Sequence, residues 1–189
     1  GRQTENYSLY NLADTEVNGV WRNTLFSGIL TDVEELLKAD PATTHPYYFG
    51  IAKVIKAFTY SLLVDFWGDV PFSDALQGVS NVQPAIDDDA AIYPQLITLL
   101  DEAIADFRAT SGLIAPGSAD YIYGGNASRW IKAANVLKLR MYLKMANTPG
   151  FSTSEISTFI TNTPDAEFMT SIAEDFQHPF VANLSGRQN

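Results

Sequence analysis

Apolar residues recur at intervals of three and four along most of the chain, and this spacing predicts helices. In the first predicted helix, Val17, Trp21, Leu25, Ile29, Val33 and Leu36 share one stripe. Asp14 or Thr15 is its expected N-cap. Asp40-Pro41 ends it, because the residue before a proline avoids helical angles. A second helix is expected after Pro46, with Ile51, Ile55, Phe58, Leu62 and Phe66 on its stripe and Val54, Ala57 and Ser61 beside them. Gly68 and Pro71 stop it. The run Asp87-Asp88-Asp89 opens a third helix, where carboxylates suit the positive end of the helix dipole. Its stripe is Ile92, Leu96, Leu99, Ala103 and Phe107, and Pro94 falls in its first turns, where proline is better tolerated than mid-helix. A fourth helix, capped by Ser128, carries Trp130, Ala134, Leu137, Met141 and Met145 and stops at Pro149-Gly150. Ser152 and Glu155 have the spacing of a capping box for a short fifth helix.

Between these helices lie long connections. Residues 1–14, 69–86 and 110–128 read as loop, and the tail 164–189 is ambiguous. No segment sustains period-two alternation, so the expected class is all-α. The second and fourth helices also resemble each other: AKVIKAFTY over 52–60 and ANVLKLRMY over 134–142 share Ala52/Ala134, Val54/Val136, Lys56/Lys138 and Tyr60/Tyr142. Each follows an amphipathic helix and ends before a proline. The reading is one helical region over 1–189, built from TPR-like helix pairs with long loops in an α/α superhelix.

Composition narrows the function classes. With 189 residues and 46% hydrophobic content, the chain can build a real core. The formal net charge of −10 and the absence of a basic stripe argue against nucleic acid and against direct adhesion to anionic lipid. No cysteine is present, which excludes disulfides, thiolate metal sites and cysteine nucleophiles. The longest apolar stretches fall short of the roughly twenty residues that span a bilayer. The opening GRQTENYSLY does not resemble a secretory leader.

Candidate chemistry is sparse. Asp65 and Asp69, with Asp74 beyond, offer the carboxylates that acid/base or glycosidase chemistry needs. Their place at a helix end favours capping and turn roles, and no catalytic residue is assigned. Asp87, Asp88 and Asp89 lack the alternating spacing, central glycine and terminal glutamate of a calcium loop. His45 and His178 are the only histidines, far apart and each followed by proline, so no metal site is expected and no cofactor is implied. Asn126-Ala127-Ser128 matches a glycosylation sequon, a short pattern with many false positives. Tyr121 and Tyr123 sit in a glycine-rich loop, where aromatic faces could stack on a sugar, and are the candidate ligand contacts. Trp130 reads as core, Trp67 as a lock on the turn before Gly68, and Trp21 as part of the first buried stripe. Arg140 stands where the first repeat unit has phenylalanine. A charge on a largely apolar helix needs a partner, and a buried ion pair with a carboxylate of the second or third helix is expected.

Two segments carry a family resemblance. IAKVIKAFTYSLLVDFWGDVPFSDAL, residues 51–76, resembles the SusD/RagB family, whose members follow an alanine-rich helix with an acidic residue, an aromatic and Gly-Asp-Val-Pro; here these are Asp65, Phe66, Trp67, Gly68, Asp69, Val70 and Pro71. YGGNASRWIKAANVLKLRMYLKMAN, residues 123–147, resembles the family's other helical signature, which includes Trp130 and Arg140. The resemblance spans most of 15–147. It implies a TPR-like scaffold within a larger SusD-like fold. It also implies a lipid-anchored protein of the outer-membrane surface that takes oligosaccharide or other nutrients and sits on a SusC-like TonB-dependent transporter. The lipid-bearing cysteine and the family's C-terminal part are not in this sequence, so the chain is expected to be a fragment. Two other readings stand beside this one: a protein–protein scaffold without its own small-molecule ligand, and a helical glycoside hydrolase fragment built on the acidic residues near Asp65.

Overall fold

The computed structural model describes residues 18–39 and 45–177. Among the described residues, six helices of nine residues or more run in order: α1 Gly19–Leu30, α2 Thr31–Ala39, α3 Pro46–Trp67, α4 Asp89–Arg108, α5 Ala127–Met145 and α6 Ser154–Asn162. Among the described residues there is no strand, only an isolated antiparallel bridge between Val70 and Asp87. The all-α class expected from the periodicity is the one observed. Val17, the cap candidates Asp14 and Thr15, the Asp40-Pro41 stop, the 1–14 loop and His178 lie outside the described residues.

The first predicted helix differs from expectation in its winding. α1 is a π-helix that passes directly into the regular α2, and the Thr31 hydroxyl donates to the Phe26 carbonyl at 2.8 Å. A turn closed at i→i+5 is wider than an α-turn and moves the buried position one residue along. Leu25 and Leu30 are therefore buried, whereas the expected Ile29 is 37% exposed. Leu36, also on the expected stripe, is exposed, and Trp21 is half-buried.

α3 is the central helix, and the sequence stripe misjudges its orientation. Val54, Ala57, Tyr60, Ser61, Leu63 and Val64 are buried, while Ile51, Ile55, Phe58 and Leu62 are half-buried and Phe66 is 76% exposed. The cause is close packing on α4. A Cβ added to Gly50 would lie 2.7 Å from Cζ of Phe107, so the two helices meet where α3 has no side chain. The small residues Ala57 and Ser61 continue that face. α4 turns Ile92, Leu96, Ala103 and Phe107 inward, as the pattern predicts, and buries Ile97, Leu100 and Ile104 as well. Leu99 remains half-buried. α5 buries its whole predicted stripe, Trp130, Ala134, Leu137, Met141 and Met145.

Helix starts depart from the sequence reading in three places. Asn126, not Ser128, caps α5, accepting the Arg129 N–H at 3.1 Å. Asp88 caps α4 through the Ala90 N–H, and Asp87 leaves the helix to the bridge with Val70. The capping box at Ser152 and Glu155 does not form; α6 has Thr153 at its cap position without a side-chain bond, and Ser152 pairs with Ser154 instead. The described part of the tail contains two short turns, Asp165–Glu167 and Ile172–Glu174. It folds back over α5, where Glu174 pairs with Lys132 and the Asn135 amide donates to the Glu167 carbonyl.

The similar segments of α3 and α5 behave alike in one respect and differently in another. Lys56 reaches back to Glu34 of α2 at 2.6 Å, and Lys138 reaches back to Asp101 of α4. Ala52 and Ala134 are both buried. Val54 is buried and Val136 is 36% exposed, so the two helices turn different neighbours toward the core.

Candidate functional site

The DFWGDVP turn joins three helices. Gly68 ends α3 at φ +72°, a left-handed angle that only glycine adopts without strain, and its N–H donates to the Val64 carbonyl at 2.9 Å. Val70, fully buried, then exchanges both backbone hydrogen bonds with Asp87. Asp69 accepts the Asp89 N–H at 3.0 Å and so caps the start of α4. Trp67 packs edge-on against Trp21 with centroids 4.9 Å apart, and Pro71 follows half-buried. One turn earlier, Asp65 accepts from the Tyr93 hydroxyl of α4 at 2.5 Å and pairs with Arg140 and Lys144 of α5. Arg140 thus finds a carboxylate on the second predicted helix. The pair is not buried as expected, since the Arg140 side chain keeps 41% exposure against 14% for Asp65.

The α4–α5 loop is organised by a carboxylate that the sequence reading passed over. Asp120, buried, accepts from the backbone N–H groups of Ile122, Tyr123 and Gly125 and from the Trp130 indole at 2.7 Å. Burial opposes its ionisation, but the Trp130 and backbone donors outweigh that and hold the carboxyl below its ordinary range. The available signal was a fully buried indole, which needs an acceptor, and an aspartate preceding a Gly-Gly turn.

The two candidate tyrosines leave this loop in opposite directions. Tyr121 is 71% exposed. Tyr123 is buried, packed edge-on against Trp130, and its hydroxyl donates to the Glu174 carbonyl at 2.8 Å. Burial, with Asp175 nearby, pushes that phenol up to about 12. Trp130 is core, stacked on Phe107 at 6.0 Å. Phe176 of the tail closes over Tyr123, Trp130 and Phe58. Beside it, an apolar cleft of about 170 Å³ runs between α3 and α5, lined by Val54, Phe58, Leu137 and Met169 with Arg140 at one side.

Among the described residues, one acidic group brings carboxylate oxygens within 4.8 Å of one another: Asp69, Asp88 and Asp89, all exposed. Asp69 and Asp88 already cap α4 through the Asp89 and Ala90 N–H groups. His45 stands before α3, next to Tyr48. No helix among the described residues is long and apolar enough to cross a membrane.

A family model described as starch-binding and associating with the outer membrane, SusD-like, matches residues 1–186. The chain belongs to the SusD-like family. Solved SusD-like structures share its fold at low identity. A SusD homolog from Bacteroides uniformis is 24% identical with a TM-score of 0.72, over 84% of this chain and 32% of that one. A chitin-binding SusD homolog from Flavobacterium johnsoniae is 18% identical with a TM-score of 0.75, over 88% of this chain and 34% of that one. A SusD homolog from Bacteroides ovatus is 24% identical with a TM-score of 0.71, over 89% and 33%. The chain therefore spans about one third of the length of these SusD-like proteins. A comparison with curated proteins found no match.

Proposed function

We propose that this chain is the helical portion of a non-catalytic nutrient-binding protein of the outer-membrane surface, which presents oligosaccharide or another nutrient to a SusC-like TonB-dependent transporter. The observation that carries the reading is the SusD-like match over residues 1–186. The structure of the signature supports a role without catalysis. Asp65 is engaged by Tyr93, Arg140 and Lys144, and Asp69 caps α4, so both carboxylates serve the scaffold. Attachment is to the outer membrane through a lipid anchor outside this sequence. Tyr121 is the ligand contact, held outward by a loop that Asp120 and the buried Tyr123 fix from beneath. A panel of starch, chitin and other oligosaccharides titrated calorimetrically into the protein tests this. Binding of at least one is expected, and binding of none counts against the reading.

A second reading is favoured by one observation. Lys56–Glu34 and Lys138–Asp101 join each helix of the similar pair to the helix before it, as a TPR-like protein-interaction scaffold would. Co-purification separates the two. A TonB-dependent barrel as the retained partner favours nutrient uptake, and a soluble protein partner with no sugar binding favours the scaffold.

A further inference from the structure

α5 and α6 enclose a groove that the DFWGDVP turn does not line. Two clefts of about 370 and 440 Å³ meet at Tyr142 and Glu155, which line both. Each is within the size range of small-ligand sites, roughly 300–1,000 Å³. The floor is aromatic. Tyr142 lies between Phe159 at 5.2 Å and Phe151 at 6.3 Å, with Tyr142 and Phe151 half-buried and Phe159 buried. The wall is polar. Glu155, Thr158 and Asn162 recur at three and four residues and share one face of α6. Among the described residues, the Tyr142 hydroxyl, the Glu155 carboxylate, the Thr158 hydroxyl and the Asn162 amide make no hydrogen bond to another side chain or backbone group.

This combination matches a pyranose ring. The C–H face of the sugar packs on an aromatic floor, and its equatorial hydroxyls need donors and acceptors at the edge. Charge narrows the class. Among the described residues, Lys138 is the one cation lining either cleft, and its ammonium is committed to Asp101 and lies 4.7 Å over the Phe159 ring. Glu155 adds negative charge in a chain of net charge −10. A carboxylated or sulfated sugar would meet repulsion without a free cation to offset it.

We propose that the α5–α6 groove, floored by Tyr142 and walled by Glu155, Thr158 and Asn162, is a binding site for an uncharged oligosaccharide. It is separate from Tyr121. Fifteen residues of helix lie between the start of α5 and Tyr142, about 22 Å at the helical rise. The proposal rests on the nutrient-binding reading and gives it a second contact surface on the same chain.

The test is calorimetry on the whole 189-residue chain with maltoheptaose, chitohexaose and trigalacturonate, in the parent and in two variants, Tyr142→Phe and Glu155→Ala/Asn162→Ala. The substituted wall residues are exposed, and thermal unfolding of each variant verifies an intact fold. A neutral oligosaccharide should bind the parent, with affinity about five-fold lower in Tyr142→Phe and ten-fold or more lower in the double variant. Undiminished neutral-sugar binding in both variants overturns the groove and leaves the nutrient-binding reading standing. Binding of no probe by the parent overturns the groove and counts against the nutrient-binding reading. Tighter binding of trigalacturonate than of either neutral sugar overturns the ligand class.

Discussion

Oδ2 of Asp120 accepts the indole N–H of Trp130 at 2.7 Å, and this single contact ties the α4–α5 loop to the most deeply buried aromatic of α5. The same oxygen takes the Gly125 N–H, and Oδ1 takes those of Ile122 and Tyr123. Removing the carboxylate leaves buried donors without acceptors, which costs more than an average hydrogen bond contributes. Asp120→Ala is expected to lose about 3 kcal/mol of stability in urea unfolding. Asp120→Asn should lose about 2 kcal/mol, because one side of its amide must face N–H donors with its own NH₂. A loss below about 0.5 kcal/mol in the alanine variant would show that the loop is held by something else.

Among the described residues, three carboxylates lie below their ordinary range and set the acid limit. Asp120 lies below its ordinary range for the reasons given above. Asp87 is lowered chiefly by the Ser73 N–H, against partial burial, with help from the Ser73 hydroxyl and the Phe72 N–H. Glu174 is pushed down to about 2, first by Lys132 and then by the Thr170 N–H. A folded value below the unfolded one means that the unfolded chain binds more protons in between. The stabilisation is complete above the unfolded carboxylate range, about 4, and is lost as pH falls through the folded values. The urea midpoint should therefore hold between pH 7 and about pH 5 and fall steadily below about pH 4. The slope should be shallower in Asp120→Asn. A midpoint unchanged down to pH 3 would contradict this assignment.

Asp65 and Arg140 stand 75 residues apart in sequence and meet at 3.0 Å. Lys144 shares the same carboxylate oxygen, and Tyr93 takes the other. Arg140 and Lys144 keep 41% and 35% exposure, so solvent screens both pairs. A double-mutant cycle of Asp65→Asn with Arg140→Gln is expected to give a coupling of about 0.5–1 kcal/mol. That coupling should shrink in 1 M salt, where the Debye length is about 3 Å. An equal coupling at low and high salt would mean that the contact acts through packing, not charge.

These sites were visible in the sequence to different degrees, for physical reasons. α5 has one apolar face, so its periodicity named Trp130, Ala134, Leu137, Met141 and Met145, and all are buried. α3 is apolar nearly all round. Periodicity could not choose its face, and the contact at Gly50 with Phe107 did. Cap residues were misplaced by two positions at α5, because Asn126 and Ser128 can both cap and only the loop geometry selects one. The need of Arg140 for a carboxylate followed from its apolar helix, and Asp65 supplies it. Asp120 was legible only in part: a core indole needs an acceptor, but which one it takes depends on Trp130, ten residues later, turning back over the loop. The α5–α6 groove was not legible either, because Tyr142 and Glu155 come together only through packing of a helix too short to announce its own orientation.

Gly50 sets two known effects against each other. Alanine is favoured over glycine inside a helix by about 1 kcal/mol, so Gly50→Ala would stabilise an exposed stretch of α3. Here the added methyl would lie 2.7 Å from Cζ and 2.8 Å from Cε1 of Phe107, on a ring that is itself buried and stacked on Trp130. Overpacking of this kind costs about 1–3 kcal/mol. The ring cannot move away without disturbing Trp130, so the steric cost should win, with a net loss of about 1 kcal/mol in urea unfolding. In a Phe107→Leu background the obstacle is smaller, and the same substitution should be neutral or stabilising there. The sign change between backgrounds separates packing from propensity. If Gly50→Ala stabilises the parent as much as the Phe107→Leu protein, the close approach of α3 and α4 is not what requires glycine at this position.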